Sequence, residues 1–67
     1  MTAKLNYGAF EAMPAVWNGG KNFGYVYYDE WRKIPVAEIN ANAHVLTKTE
    51  FETTYSGLPP VPGDLLK

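Results

Sequence analysis

The chain has 67 residues, enough for one small domain, and a domain of that size removes only about 60% of its unfolded surface from water. It has no cysteine, which excludes disulfide staples and zinc sites built on thiolates, while 46% hydrophobic and 19% charged residues describe a globular chain. Six Lys/Arg against seven Asp/Glu leave a net charge of −1, which supplies no general electrostatic reason to hold nucleic acid or an anionic membrane.

Met1 to Gly8 contains no apolar stretch of the kind a cleaved secretory signal needs. The longest nearly apolar run, Ala12 to Trp17, is six residues with a proline inside it, against about 20 for a membrane span. These readings predict a soluble protein of the cytoplasm with no membrane partner.

Residues 4–13 alternate in a strand-like way, with Leu5, Tyr7 and Ala9 on one side, and Gly8 is expected to mark a bulge. Pro14 predicts that any strand through residues 12–17 lies at an edge or a bend. Asn18-Gly19-Gly20-Lys21 is a strong hairpin signal, because asparagine and glycine tolerate positive φ. The segment Asn22 to Tyr28 follows as a strand, with Phe23, Tyr25 and Tyr27 on one face and Val26 and Tyr28 on the other. Apolar residues on both faces predict a central strand, or one whose outer face meets a partner. Asp29-Glu30 makes a polar turn, and Trp31 to Ile39 reads as the return strand, with Pro35 again favouring an edge.

The second half changes character. Asn40 to His44 reads as a loop or a single helical turn. Thr47-Lys48-Thr49-Glu50 fits a capping box, with Leu46 and Phe51 at the spacing of a hydrophobic staple and Gly57 as a stop. This predicts a helix of about nine residues, with Phe51 and Tyr55 on one face. Such a helix is too short to stand alone, so it must dock Phe51, Tyr55 and Leu58 onto the sheet. The tail from Leu58 holds Pro59-Pro60-Val61-Pro62 and should be extended. The expected fold is a small α+β domain over residues 1–57, an antiparallel sheet of three or four strands with one short carboxy-terminal helix, followed by a proline-rich arm at 58–67.

Catalytic and metal chemistry find little material. His44 and Ser56 are the lone histidine and serine, and loop polarity and helix-end capping account for both. Asp29 and Glu30 share a solvated turn, and Glu50 belongs to its cap. No Asp-x-Asp-x-Asp-Gly loop is present, and Gly19-Gly20-Lys21 lacks the spacing of a phosphate loop. The expectation is a protein that is not an enzyme, with no cofactor, no metal and no small-molecule substrate.

Aromatic content carries more information: 15% of the residues are Phe, Trp or Tyr, concentrated between Trp17 and Trp31. Rings on a sheet can stack the bases of single-stranded nucleic acid, but such platforms sit in electropositive grooves. Here Lys21, Arg32 and Lys33 are opposed by Asp29 and Glu30. Tyrosine, with its apolar body and polar tip, also suits a protein interface. The Pro-x-x-Pro match at 59–62 lacks a nearby arginine anchor, so a stiff arm laid on its own domain or on a neighbouring subunit is the better reading, with Leu65 and Leu66 as knobs behind it.

Glu11-Ala12-Met13, followed by Trp17-Asn18-Gly19, resembles the Glu-Ala-Met/Phe-Gln-Trp-x-Gly opening of short phage and prophage proteins. Glu50-Phe51-Glu52-Thr53-Thr54-Tyr55 is similar to their closing Phe-Glu-x-x-Tyr segment. Residues 14–16 are extra relative to that pattern, and the middle segment differs. The resemblance implies a phage-encoded origin, placing the protein in a virion or the host cytoplasm, and no activity.

The sequence thus predicts a protein–protein interaction or structural protein, either a virion accessory subunit such as a head-decorating or tail component, or a stoichiometric inhibitor of a host protein. Its partner is another protein or a second copy. The contact residues expected are Tyr25, Tyr27, Tyr28, Trp31, Pro59, Pro60, Pro62 and Leu65. A module reading single-stranded nucleic acid through an aromatic sheet face is the alternative.

Overall fold

The structure is a computed structural model and describes residues 5–65. Five strands, β1 (Leu5–Phe10), β2 (Met13–Asn18), β3 (Phe23–Tyr27), β4 (Trp31–Pro35) and β5 (Ala43–Leu46), form one antiparallel sheet in the order β4-β3-β2-β1-β5. Helix α1 (Val36–Asn42) joins β4 to β5, and helix α2 (Lys48–Thr54) follows β5. An arm with no helix or strand then leads to a 3₁₀ turn at Gly63–Leu65. The expected three or four strands and one helix are thereby corrected to five strands and two helices; Leu66 lies outside the described residues.

The β1–β2 hairpin closes at the pair Phe10–Met13, leaving a two-residue loop in which Glu11 has φ 49° and Ala12 φ 70°. A tight hairpin needs positive φ at both positions to match the twist of its strands. This chain meets that demand without glycine or asparagine. The Tyr55 hydroxyl donates to the Ala12 carbonyl at 3.1 Å and ties α2 to the turn.

Pro14 does not put β2 at an edge; β2 is the middle strand. Counting from the closing pair, Ala9 and Pro14 face each other at a position where backbone groups point outward, and the β2–β3 ladder starts only at Ala15. No ladder donor is therefore missed. Gly8 does not bulge either, since its pairings with Ala15 and Val45 run through unbroken. A Cβ there would collide with the His44 carbonyl oxygen and approach Trp17 to 3.0 Å, so glycine serves close approach of β5.

The β2–β3 turn works by a different device from the one expected. Neither Gly19 nor Gly20 takes positive φ. Instead the Lys21 N–H donates to the Asn18 carbonyl at 3.0 Å, and the Gly20 N–H donates to Asn18 Oδ1 at 2.8 Å. The asparagine side chain mimics the backbone of a turn.

The return strand stops at Pro35, and the chain turns helical at Val36 rather than continuing to Ile39. Pro35 holds φ −57° and ψ 137° in the capping position, with no side-chain cap. The proline ring fixes φ, and the residue after it is free to start a helix. Docking supplies what the missing cap does not: Ile39 is fully buried against Trp17 and Val26. β5 emerges where a loop or helical turn was expected, because Ala43 to Leu46 pair with Phe10 back to Tyr7. By contrast the capping box forms as expected. Glu50 N–H donates to Thr47 Oγ1 at 3.1 Å, and Thr47 N–H donates to Glu50 Oε1 at 3.0 Å. α2 is seven residues long, two short of the reading.

Strand alternation sends the core to both faces of the sheet. On one, Phe10, Ala15, Trp17 and Val26 receive Ile39 of α1. On the other, Val16 and Tyr25 receive Phe51 of α2 and Leu65 of the arm, with Leu58 and Val61 packed alongside. The segment drawn as an arm at 58–67 thus shares the sheet's own core as far as Leu65. Burying a leucine completely, as at Leu65, stabilises a fold by about 1.5–3 kcal/mol. No helix among the described residues is long and apolar enough to cross a membrane.

Candidate interaction surface

The eight residues expected to contact a partner separate into three groups. Tyr25 and Leu65 are buried in the protein's own core. Tyr27, Trp31 and Pro62 are half-buried. Tyr28, Pro59 and Pro60 are exposed. Among the described residues, Tyr28 and Val45 are the large hydrophobic side chains left open, at 41% and 74% exposure. The other rings are accommodated because helix or arm covers each face of the sheet.

The arm brings Pro59 of the third group against Trp31 of the second. The Trp31 indole N–H donates to the Pro59 carbonyl at 3.2 Å. Tyr27 stands edge-on to Trp31 with centroids 5.1 Å apart. In the turn from β3 to β4, Asp29 pairs with Arg32 of β4 at 3.3 Å, an exposed contact worth little by itself, and Arg32 lies 5.7 Å from the Tyr28 ring centroid. Tyr27, Trp31 and Pro59 therefore make one partly exposed apolar ridge at the β3–β4 end of the sheet, with exposed Pro60 next along the arm and exposed Tyr28 in the turn that joins the two strands.

At the far end the arm is latched by polar groups. The Tyr25 hydroxyl donates to both carboxylate oxygens of Asp64, at 2.7 and 2.8 Å. Burial, and then the bond to the neighbouring carboxylate, push the Tyr25 hydroxyl up to about 12. The same bond, with help from Lys33, holds Asp64 below the ordinary carboxylate value. Lys33 Nζ lies 3.5 Å from Asp64 and 4.5 Å from the Phe23 ring centroid. Buried Asn18 donates to the Leu65 carbonyl at 2.9 Å while its Oδ1 serves the turn.

The sequence reading did not single out Asn18 or Lys33 as partners of the arm, nor Asp64 as the arm's own polar contact. Their signal is absent from local spacing, since Asn18 and Leu65 are 47 positions apart. Among the described residues no group of three or more His, Asp or Glu could hold a metal ion. Ser56, exposed past α2, lines a cavity with Phe51, Glu52, Tyr55, Gly57 and Leu58, and His44, exposed on β5, is not among its lining residues. Compared with known proteins, the chain matches no family model, no curated protein and no solved structure.

Proposed function

We propose that the protein is a non-enzymatic interaction or structural module whose contact surface is the ridge of Tyr27, Trp31, Pro59 and Pro60 together with Tyr28 on the adjoining turn. One observation carries the reading: the Trp31–Pro59 hydrogen bond sets an exposed proline against the half-buried rings of Trp31 and Tyr27, and the turn between their strands leaves Tyr28 exposed. Aromatic side chains with one face free are the usual anchors of protein interfaces. A platform for single-stranded nucleic acid has less support, because base stacking needs an open aromatic face and here α1 covers one side while α2 and the arm cover the other. With the phage resemblance, the two roles that fit are a subunit of a particle and a stoichiometric inhibitor of a host protein.

The test is a photo-crosslinking residue placed at Tyr28, with one at Glu52 on the exposed side of α2 as control. One discrete adduct from Tyr28 and none from Glu52, in the native source, supports the ridge. Equal adducts, or none from either, overturn it. Recovery of the adduct in particles marks a structural subunit; recovery in a one-to-one soluble complex marks an inhibitor.

A further inference from the structure

The face of the sheet under the arm has the parts of a receptor, and the arm has the parts of its ligand. A polyproline II segment has no internal hydrogen bonds and little ordering entropy left to lose. A reader for it needs flat apolar walls and a donor aimed at a proline carbonyl. Trp31 is that donor, at 3.2 Å from the Pro59 oxygen, and Tyr27 buttresses its ring. Val61 packs into the cluster of Val16, Tyr25 and Phe51, and Leu65 fills its end completely. Charge matches as well, with Asp64 received by the Tyr25 hydroxyl and Lys33.

The link between the two is slight. α2 ends at Thr54, and Ser56 and Gly57 are exposed. Gly57 has φ +79°, and a side chain there would meet nothing within 4 Å. The contacts that hold the arm lie beyond this link, so an arm arriving from another copy can make every one of them.

We propose that this face is a polyproline-recognition groove whose occupant in trans is the Leu58–Leu65 arm of a second copy, exchanged about the Ser56–Gly57 link. This groove lies beneath the arm and is separate from the exposed ridge proposed above, so the two readings stand or fall independently. The link sets the conditions. A short flexible link gives the arm's own groove an effective concentration of about a millimolar, so the closed single chain dominates in dilute solution and exchange takes over when copies are crowded.

The chain has no cysteine, so introduced thiols report arm placement without background. Lys33→Cys goes on one chain and Gly63→Cys on another; Gly63 has open space around it, and Lys33 pairs with the adjacent Asp64. The two chains are unfolded together, refolded at about 1 mM and joined with a short bis-maleimide. The expected result is a Lys33–Gly63 heterodimer at about tenfold or more over a control pair, Ala41→Cys on α1 with Gly63→Cys. A yield equal to the control overturns the exchange. A second variant lacks Ser56 and Gly57, so its arm cannot turn back. A dimer at micromolar concentration supports the proposal, and a folded monomer with a free arm overturns it. If the deletion unfolds the chain, the thiol pair decides alone. Failure here with a discrete Tyr28 adduct removes the exchange and leaves the interaction surface standing; the reverse outcome removes the Tyr28 ridge only.

Discussion

Ala12→Gly should make the protein more stable, although it deletes a side chain and adds backbone freedom. Ala12 sits at φ 70° in the β1–β2 turn and is exposed, so its methyl group contributes no core packing. An L-residue held in the left-handed region costs about 1–2 kcal/mol, which glycine avoids. Against this, glycine gives the unfolded chain more freedom, worth about 0.4–1 kcal/mol. The difference is a net gain of about 0.8 kcal/mol at the centre of these ranges. For a domain of this size 1 kcal/mol moves the melting temperature by about 4–8 °C, so a rise of about 3–6 °C is expected. Ala41→Gly is the matched control, the same chemical change at an exposed position in α1, where glycine should cost about 0.5–1 kcal/mol. Thermal melts followed by circular dichroism, with urea midpoints for confirmation, read both. If Ala12→Gly lowers the melting temperature as Ala41→Gly does, the turn is not strained and the argument fails.

Two further outcomes follow from the packing and the latch. Gly24→Ala would put a Cβ 2.5 Å from Trp17 Cβ and 2.7 Å from Ile39 Cδ1, so it should lift α1 off the sheet and cost about 1–3 kcal/mol in a urea titration. A neutral result would mean that α1 has room to shift. The Tyr25–Asp64 bond should limit arm docking at both ends of the pH scale. Because the Asp64 carboxyl is held below its ordinary 3.8 in the folded chain, its contribution is present above that value and fades as pH falls through the lowered one. Tyr25 is raised from 10.0, so its contribution is whole below pH 10 and is lost as pH climbs through about 12. Ultraviolet titration of the wild type minus Tyr25→Phe should isolate an inflection near 12; one at 10 would show that the latch does not form.

Some of this molecule is written in short spans of chain. The Thr47–Glu50 cap joins residues three apart, so four letters suffice to find it. The alternation from Phe23 to Tyr27 is equally local, and its two apolar faces do belong to an internal strand. The eight expected contact residues were harder, because their fates diverge: Tyr25 and Tyr28 look alike in sequence, yet one is buried with its hydroxyl on Asp64 and the other stays in solvent.

By itself, then, the order of residues determined the α2 cap, the Tyr-rich strand and the turn at Asn18, since each rests on hydrogen bonds or periodicity within a few positions. Only the tertiary structure decided that Ala43–Leu46 is a strand, that Val36 starts a helix and that the arm lies on its own sheet. β5 exists because β1 offers it an edge, α1 because Gly24 leaves a seat for Ile39, and the arm's position because Asn18 and Tyr25 wait for it from the far end of the chain. Each of these gains is collected only after distant segments meet, and that meeting is a property of the whole fold.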